Sequence, residues 1–160
     1  MLKLGGKPIS RDYAGGMRKL DIAPALHQME RFIGFTIPRD GRFAVADHDE
    51  VVIITLDGST PPEISDTHPY KFVEGNPDFL GIVFDDLLEN RPILSVGSTT
   101  ISYQFDPKQD FVRLEYEVAS EHGALEFRTF SGDWFAASLS EDGKHLVLAE
   151  PYEVALYEVG

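Results

Sequence analysis

The densest group of ionisable side chains is Asp47-His48-Asp49-Glu50, four consecutive residues between two short apolar runs, Arg42 to Ala46 and Val51 to Leu56. In a hairpin loop, alternating carboxylates converge readily on a hard cation such as calcium, which takes about six to eight oxygen ligands. The segment lacks the glycine at the sixth position and the closing bidentate glutamate of an EF-hand loop, and aspartate is favoured in turns for the bonds it makes to its own backbone. The reading is therefore a solvated turn, and no metal site is assigned.

A second group lies on one strand. In Phe111 to Val118 the side chains of Val112, Leu114, Tyr116 and Val118 share one face, and Arg113, Glu115 and Glu117 share the other, with Glu126 and Arg128 placed to lie on a neighbouring strand. A glycosidase-type carboxylate pair has to sit in a cleft with one member's pKa raised by burial. Cross-strand pairing of arginine with glutamate accounts for the same residues without one.

The other reactive side chains form no pattern. His27, His48, His68, His122 and His145 occur singly, without the short spacings of zinc motifs. There is no Gly-x-Ser-x-Gly elbow, and Gly15-Gly16 lacks the following Lys-Ser/Thr of a phosphate-binding loop. Cysteine is absent, which removes thiolate chemistry, disulfides and Cys-ligated zinc. No catalytic residue and no cofactor are assigned, and the reading leans away from an enzyme.

Charge carries the remaining signal. The chain has 27 acidic and 14 basic side chains, a formal net of −13, and a pI near 4.6. Residues 1–42 hold eight bases (Lys3, Lys7, Arg11, Arg18, Lys19, Arg31, Arg39 and Arg42) against four acids, near +4, which leaves the rest near −17. An acidic body repels nucleic acid and attracts basic surfaces. The expected partner is accordingly a basic protein, with solubility alone as the plainer explanation of the same charge. The N-terminus has no apolar signal region and no apolar run reaches membrane-spanning length, so a soluble, cytoplasmic protein outside the membrane is expected.

These groups have to be positioned by a mainly β architecture. Residues 1–20 mix Gly, Pro, Ser and charge without periodicity and read as a mobile or extended arm before a single domain at 21–160. Ile22, Leu26, Met29 and Ile33 recur at helical spacing behind Asp21, predicting a helix at about 22–33 that ends at Gly34. A strand is expected at Tyr70 to Val73, and Asp78 to Asn90 reads as a short strand followed by one helical turn. From Ile93 onward, β-type segments alternate with turns such as Gly97-Ser98, Asp106 to Asp110 and Glu141 to Lys144, giving an all-β antiparallel meander of short strands closed as a sandwich or barrel. The aromatics Phe127, Phe130, Trp134 and Phe135 read as core.

One echo runs through the chain. Ile37 to Ala46, continuing to Val51-Val52-Ile53-Ile54, parallels Leu139 to Ala149, continuing to Val154-Ala155-Leu156-Tyr157, with one residue inserted. Both segments resemble the Asp-Gly-Lys/Arg hairpin and following strands of a WD40-type propeller blade, which gives a small propeller-like arrangement as the alternative fold.

The functional expectation is a non-catalytic binding module, such as an inhibitor or immunity-type protein, that presents Glu115, Glu117 and Glu126 to a basic partner, with Asp47, Asp49 and Glu50 as secondary contacts. The alternative is a small-ligand barrel, or an enzyme whose site assembles only in three dimensions. Exposed strand edges also permit a homo-oligomer.

Overall fold

The computed structural model describes residues 13–14, 16–82 and 91–160. In chain order its strands are β1 (Tyr13–Ala14), β2 (Met17–Leu20), β3 (Phe32–Thr36), β4 (Arg42–Asp47), β5 (Val51–Thr55), β6 (Glu63–Ile64), β7 (Phe79–Gly81), β8 (Ser95–Val96), β9 (Thr99–Asp106), β10 (Phe111–Val118), β11 (Glu121–Arg128), β12 (Ala136–Leu139), β13 (His145–Glu150) and β14 (Glu153–Val159). Two short helices, α1 (Ala23–Leu26) and α2 (Pro69–Glu74), interrupt them.

The strands form three antiparallel sheets: a central sheet ordered β1-β2-β14-β13-β12, a first outer sheet ordered β6-β5-β4-β3-β7 and a second outer sheet ordered β11-β10-β9-β8. Period-two alternation divides the central strands between two cores. Val147, Ala149, Val154 and Leu156 pack against Phe35, Phe43, Val45, Val52 and Ile54 of the first outer sheet. Their neighbours Leu146, Leu148, Ala155 and Tyr157 pack on Ile101, Leu114, Tyr116 and Leu125 of the second. Among the described residues, no buried cluster holds strand residues of both outer sheets. The protein is thus an all-β, sandwich-like stack, and no closed barrel forms among the described residues.

Burial on two faces explains the composition of the strands. A strand covered on both sides gains about 1.5–3 kcal/mol for each large apolar side chain it encloses and has no reason to alternate. β13 and β14 accordingly carry runs of consecutive buried residues, whereas β10, whose outer face is wet, alternates. The first outer sheet is covered on its far side by α2, where Ile33, Ala44, Ala46 and Val51 meet Val73 and Phe79. No helix among the described residues is long and apolar enough to cross a membrane.

Several local expectations change. Helix α1 is one turn long, with Pro24 in its first turn and an Asp21 Oδ1 that accepts from Ala23 N–H at 3.1 Å. The apolar spacing beyond it belongs to strand β3, whose five residues are all buried. Residues 69–74 are helical where a strand was expected, because His68 caps the Tyr70 N–H and Pro69 occupies the first turn, where its missing N–H costs nothing. Met17–Leu20, at the end of the expected arm, is a strand: it pairs antiparallel with β14, and Arg18 meets Glu158 at 2.8 Å. Residues 1–12 and 15 of the expected arm, and the helical turn expected within 83–90, lie outside the described residues.

The sequence echo has a structural counterpart. Its two copies hold the strand pairs β4-β5 and β13-β14, which with β3 and β12 before them form meanders in contacting sheets. Each tip turns on an Asp-Gly pair, with Gly41 at φ 75° and Gly143 at φ 74°. The middle strand of each meander ends in a buried carboxylate, Asp47 or Glu150.

Candidate functional site

Those two carboxylates organise one end of the stack, called here the lower end. Asp47, only 3 % exposed, accepts at Oδ1 from the Asp49 and Glu50 N–H groups, both at 2.7 Å, and at Oδ2 from the Glu30 N–H at 3.4 Å. Glu150, 2 % exposed, accepts from the Phe130, Ser131 and Tyr152 N–H groups. Each anion thereby joins a hairpin to the loop that leads into the preceding strand, β3 for Asp47 and β12 for Glu150.

Further bonds knit the turns together. The Arg31 guanidinium pairs with Asp133, donates to the Tyr152 hydroxyl at 3.4 Å and lies over the Tyr152 ring, 5.5 Å from its centroid. The Phe32 N–H donates to Pro151 O at 2.7 Å, and the Thr129 N–H to Asp110 O at 2.8 Å. Gly132 lies so close to the β9–β10 turn that a Cβ there would come within 2.6 Å of Pro107 O.

Residues 28–31, 47–50, 106–110, 129–133 and 150–153 thus form one continuous surface. It carries nine carboxylates (Glu30, Asp47, Asp49, Glu50, Asp106, Asp110, Asp133, Glu150 and Glu153) and two bases, Arg31 and Lys108. Asp47 and Glu150 are enclosed and Asp133 is paired, but Glu30, Asp49, Asp106 and Asp110 are exposed and make no ion pair with any described base.

The acids singled out in the sequence therefore fall in two separate places. Glu115, Glu117 and Glu126 do lie on the outer face of the second outer sheet, and there they have side-chain partners of their own. Arg113 reaches Glu115 at 3.3 Å and Glu126 at 2.9 Å, and His122 lies 3.0 Å from Glu117. Asp49 and Glu50 belong to the lower end, across the central sheet from that face. Asp47, expected among the partner contacts, is turned inward and holds its turn together. Phe130, expected in the core, is 70 % exposed, and Tyr152 is 47 % exposed.

The opposite, upper end carries an open cleft of about 410 Å³ between the tips of the two echoed hairpins. Arg39 bridges Asp78 at 2.9 Å and Glu141 at 3.3 Å, and Glu141 Oε1 accepts from the Asp40 N–H at 2.9 Å. The exposed Asp57 on its rim is held down to about 2 by the Thr60 hydroxyl and the Thr60 and Ser59 N–H groups. Ser140, Asp142 and His145 meet on one wall, but the Ser140 hydroxyl donates to Asp142 at 2.6 Å, and the buried His145 Nδ1 has no hydrogen-bond partner. No hydrogen bond joins the Ser140 hydroxyl to the His145 imidazole, and Asp142 does not orient that ring, so the trio serves as a turn lock. Among the described residues, no group of three or more His, Asp or Glu is disposed to hold a metal ion.

Burial depresses the His145 imidazole below the ordinary histidine range; Asp142 and Glu158 pull it back up and Lys144 pushes it further down. A group whose folded-state pKa is depressed gives stability that is present above its unfolded value, near 6.5, and lost as pH falls through the folded value. Urea midpoints should therefore drop between about pH 7 and pH 5, and His145→Gln should flatten that slope. An unchanged slope in the variant would remove His145 as its source.

Matched against protein-family models, curated proteins and solved structures, the chain finds no counterpart in any of the three.

Proposed function

We propose that this protein is a non-catalytic binding module that engages a basic protein partner through its lower end, an inhibitor or immunity-type protein being one concrete form. One observation carries the reading: four exposed acids that make no ion pair with a described base, Glu30, Asp49, Asp106 and Asp110, are gathered there on turns joined into a single surface, while on the open sheet face Glu115 and Glu126 share Arg113 and Glu117 meets His122. Uncompensated charge on a rigid surface steers an oppositely charged partner and raises its association rate. Charge already matched within the chain offers far less.

The test compares two triple variants against the basic protein that the chain retains from lysate at low salt. Glu30→Lys/Asp49→Lys/Asp110→Lys should slow association at least about tenfold and flatten its salt dependence. Glu115→Lys/Glu117→Lys/Glu126→Lys should leave association within about twofold. The reverse ranking would move the interface to the sheet face, and the absence of any salt-sensitive basic partner would remove the reading.

A further inference from the structure

We infer that Phe130 is the anchor of this lower-end interface, and that it seats an arginine side chain of the partner. The inference rests on the reading of the lower end as a binding surface and adds the chemistry that it recognises.

Phe130 is the most exposed large apolar side chain among the described residues, yet its backbone is tightly held. Its own N–H and that of Ser131 are bound by the buried Glu150, the preceding Thr129 N–H is bound by Asp110 O, and Gly132 lies against Pro107. An exposed ring on a mobile loop loses conformational freedom when a partner covers it. A ring on a backbone already fixed loses much less, and rigid exposed aromatics are where interface energy concentrates.

The same surface supplies a template for what the ring would take. Arg31 lies over the Tyr152 ring while its guanidinium pairs with Asp133, an arginine held between an aromatic face and a carboxylate. Phe130 repeats two parts of that arrangement: an aromatic ring, and the hairpin bearing Asp106 and Asp110, to which its loop is hydrogen-bonded. No cation of the described residues stacks on it. The hydroxyl of Thr129, 5 % exposed, is also without a hydrogen-bond partner beside the anchor. A guanidinium suits this setting better than an ammonium, because its weakly hydrated plane stacks on a ring while its edge bonds a carboxylate.

The experiment titrates the isotopically labelled protein with oligoarginine and oligolysine peptides of equal length at low salt. Oligoarginine should bind several-fold more tightly, with amide shifts concentrated at 106–111 and 129–133. Phe130→Ala should weaken oligoarginine roughly two- to fivefold and leave oligolysine unchanged, erasing the preference, while Phe130→Trp should preserve or strengthen it. Equal affinity for the two peptides, or indifference to both variants while the shifts stay at the lower end, would overturn the anchor and leave the acidic-surface reading standing. Shifts on the Glu115–Glu117–Glu126 face, or no binding at low salt, would overturn both.

Discussion

Gly34→Ala should destabilise the protein by at least ~4 kcal/mol, in the range where a single substitution leaves much of a marginally stable domain unfolded. Gly34 on β3 sits directly opposite Gly81 on β7, beside a register shift between Phe32 and Gly34. Their φ values, 154° and 147°, are ones that L side chains rarely adopt. A Cβ on Gly34 would come within 2.1 Å of Leu80 O and 2.5 Å of the Phe79 ring, and one on Gly81 within 2.2 Å of Ile33 O. The obstruction is largely backbone, so the strands must separate. Separation would break the Ile82 N–H to Ile33 O bond, 2.9 Å, and open the core between β3 and α2. Gly41→Ala is the control: Gly41 also has positive φ, but nothing lies within 4 Å of its would-be Cβ, so it should cost only about 1 kcal/mol. Urea unfolding of the pair measures the difference, and equal midpoints would mean that the two strands part without penalty.

Which elements were legible in the sequence follows from how local their causes are. β9 and β10 were readable because an outer face in water enforces alternation, and Asp106 to Asp110 forms the turn that its composition suggests. The echo was readable because the two Asp-Gly tips need the same left-handed glycine. β3 was not, since burial on both faces removes alternation, and its Ile33 happened to continue the spacing of Ile22, Leu26 and Met29. β2 was hidden for a different reason: its partner β14 lies at the far end of the chain, and only pairing makes sense of Arg18 beside Glu158. The turn between β10 and β11 was not legible either. Its central residues are Ala119 and Ser120, both with positive φ, where the hairpin preference is for Gly, Asn or Asp. On the open sheet face, the outward direction of Glu115, Glu117 and Glu126 and the pairing of Glu115 and Glu126 with Arg113 came from strand periodicity alone. The exposure of Phe130 did not, because it depends on Glu150, twenty residues away.

Glu150→Ala is the second large effect expected, and it bears on stability and function together. Truncation leaves three N–H groups, those of Phe130, Ser131 and Tyr152, without the anion that held them. Hydrogen bonds to a charged acceptor are worth about 1.5–3 kcal/mol each, but water reaching the opened loop recovers part of that, so a net loss of ~3 kcal/mol is expected. For a chain of this length that corresponds to a fall of about 6–12 °C in Tm. Glu150→Gln should fall between wild type and alanine, because its amide oxygen still accepts while its NH2 faces a donor. Below the unfolding transition, the alanine variant should also show faster hydrogen exchange at Phe130 and Ser131 and weaker partner binding, since the ring would no longer be held where a partner meets it. Asp47→Ala, the corresponding change in the other meander, should cost comparable stability while sparing exchange at Phe130. Its bonds hold Glu30, Asp49 and Glu50 instead. If both variants freed Phe130 equally, the lower end would be one cooperative unit and not two latched loops, and the anchor's rigidity would belong to the whole surface.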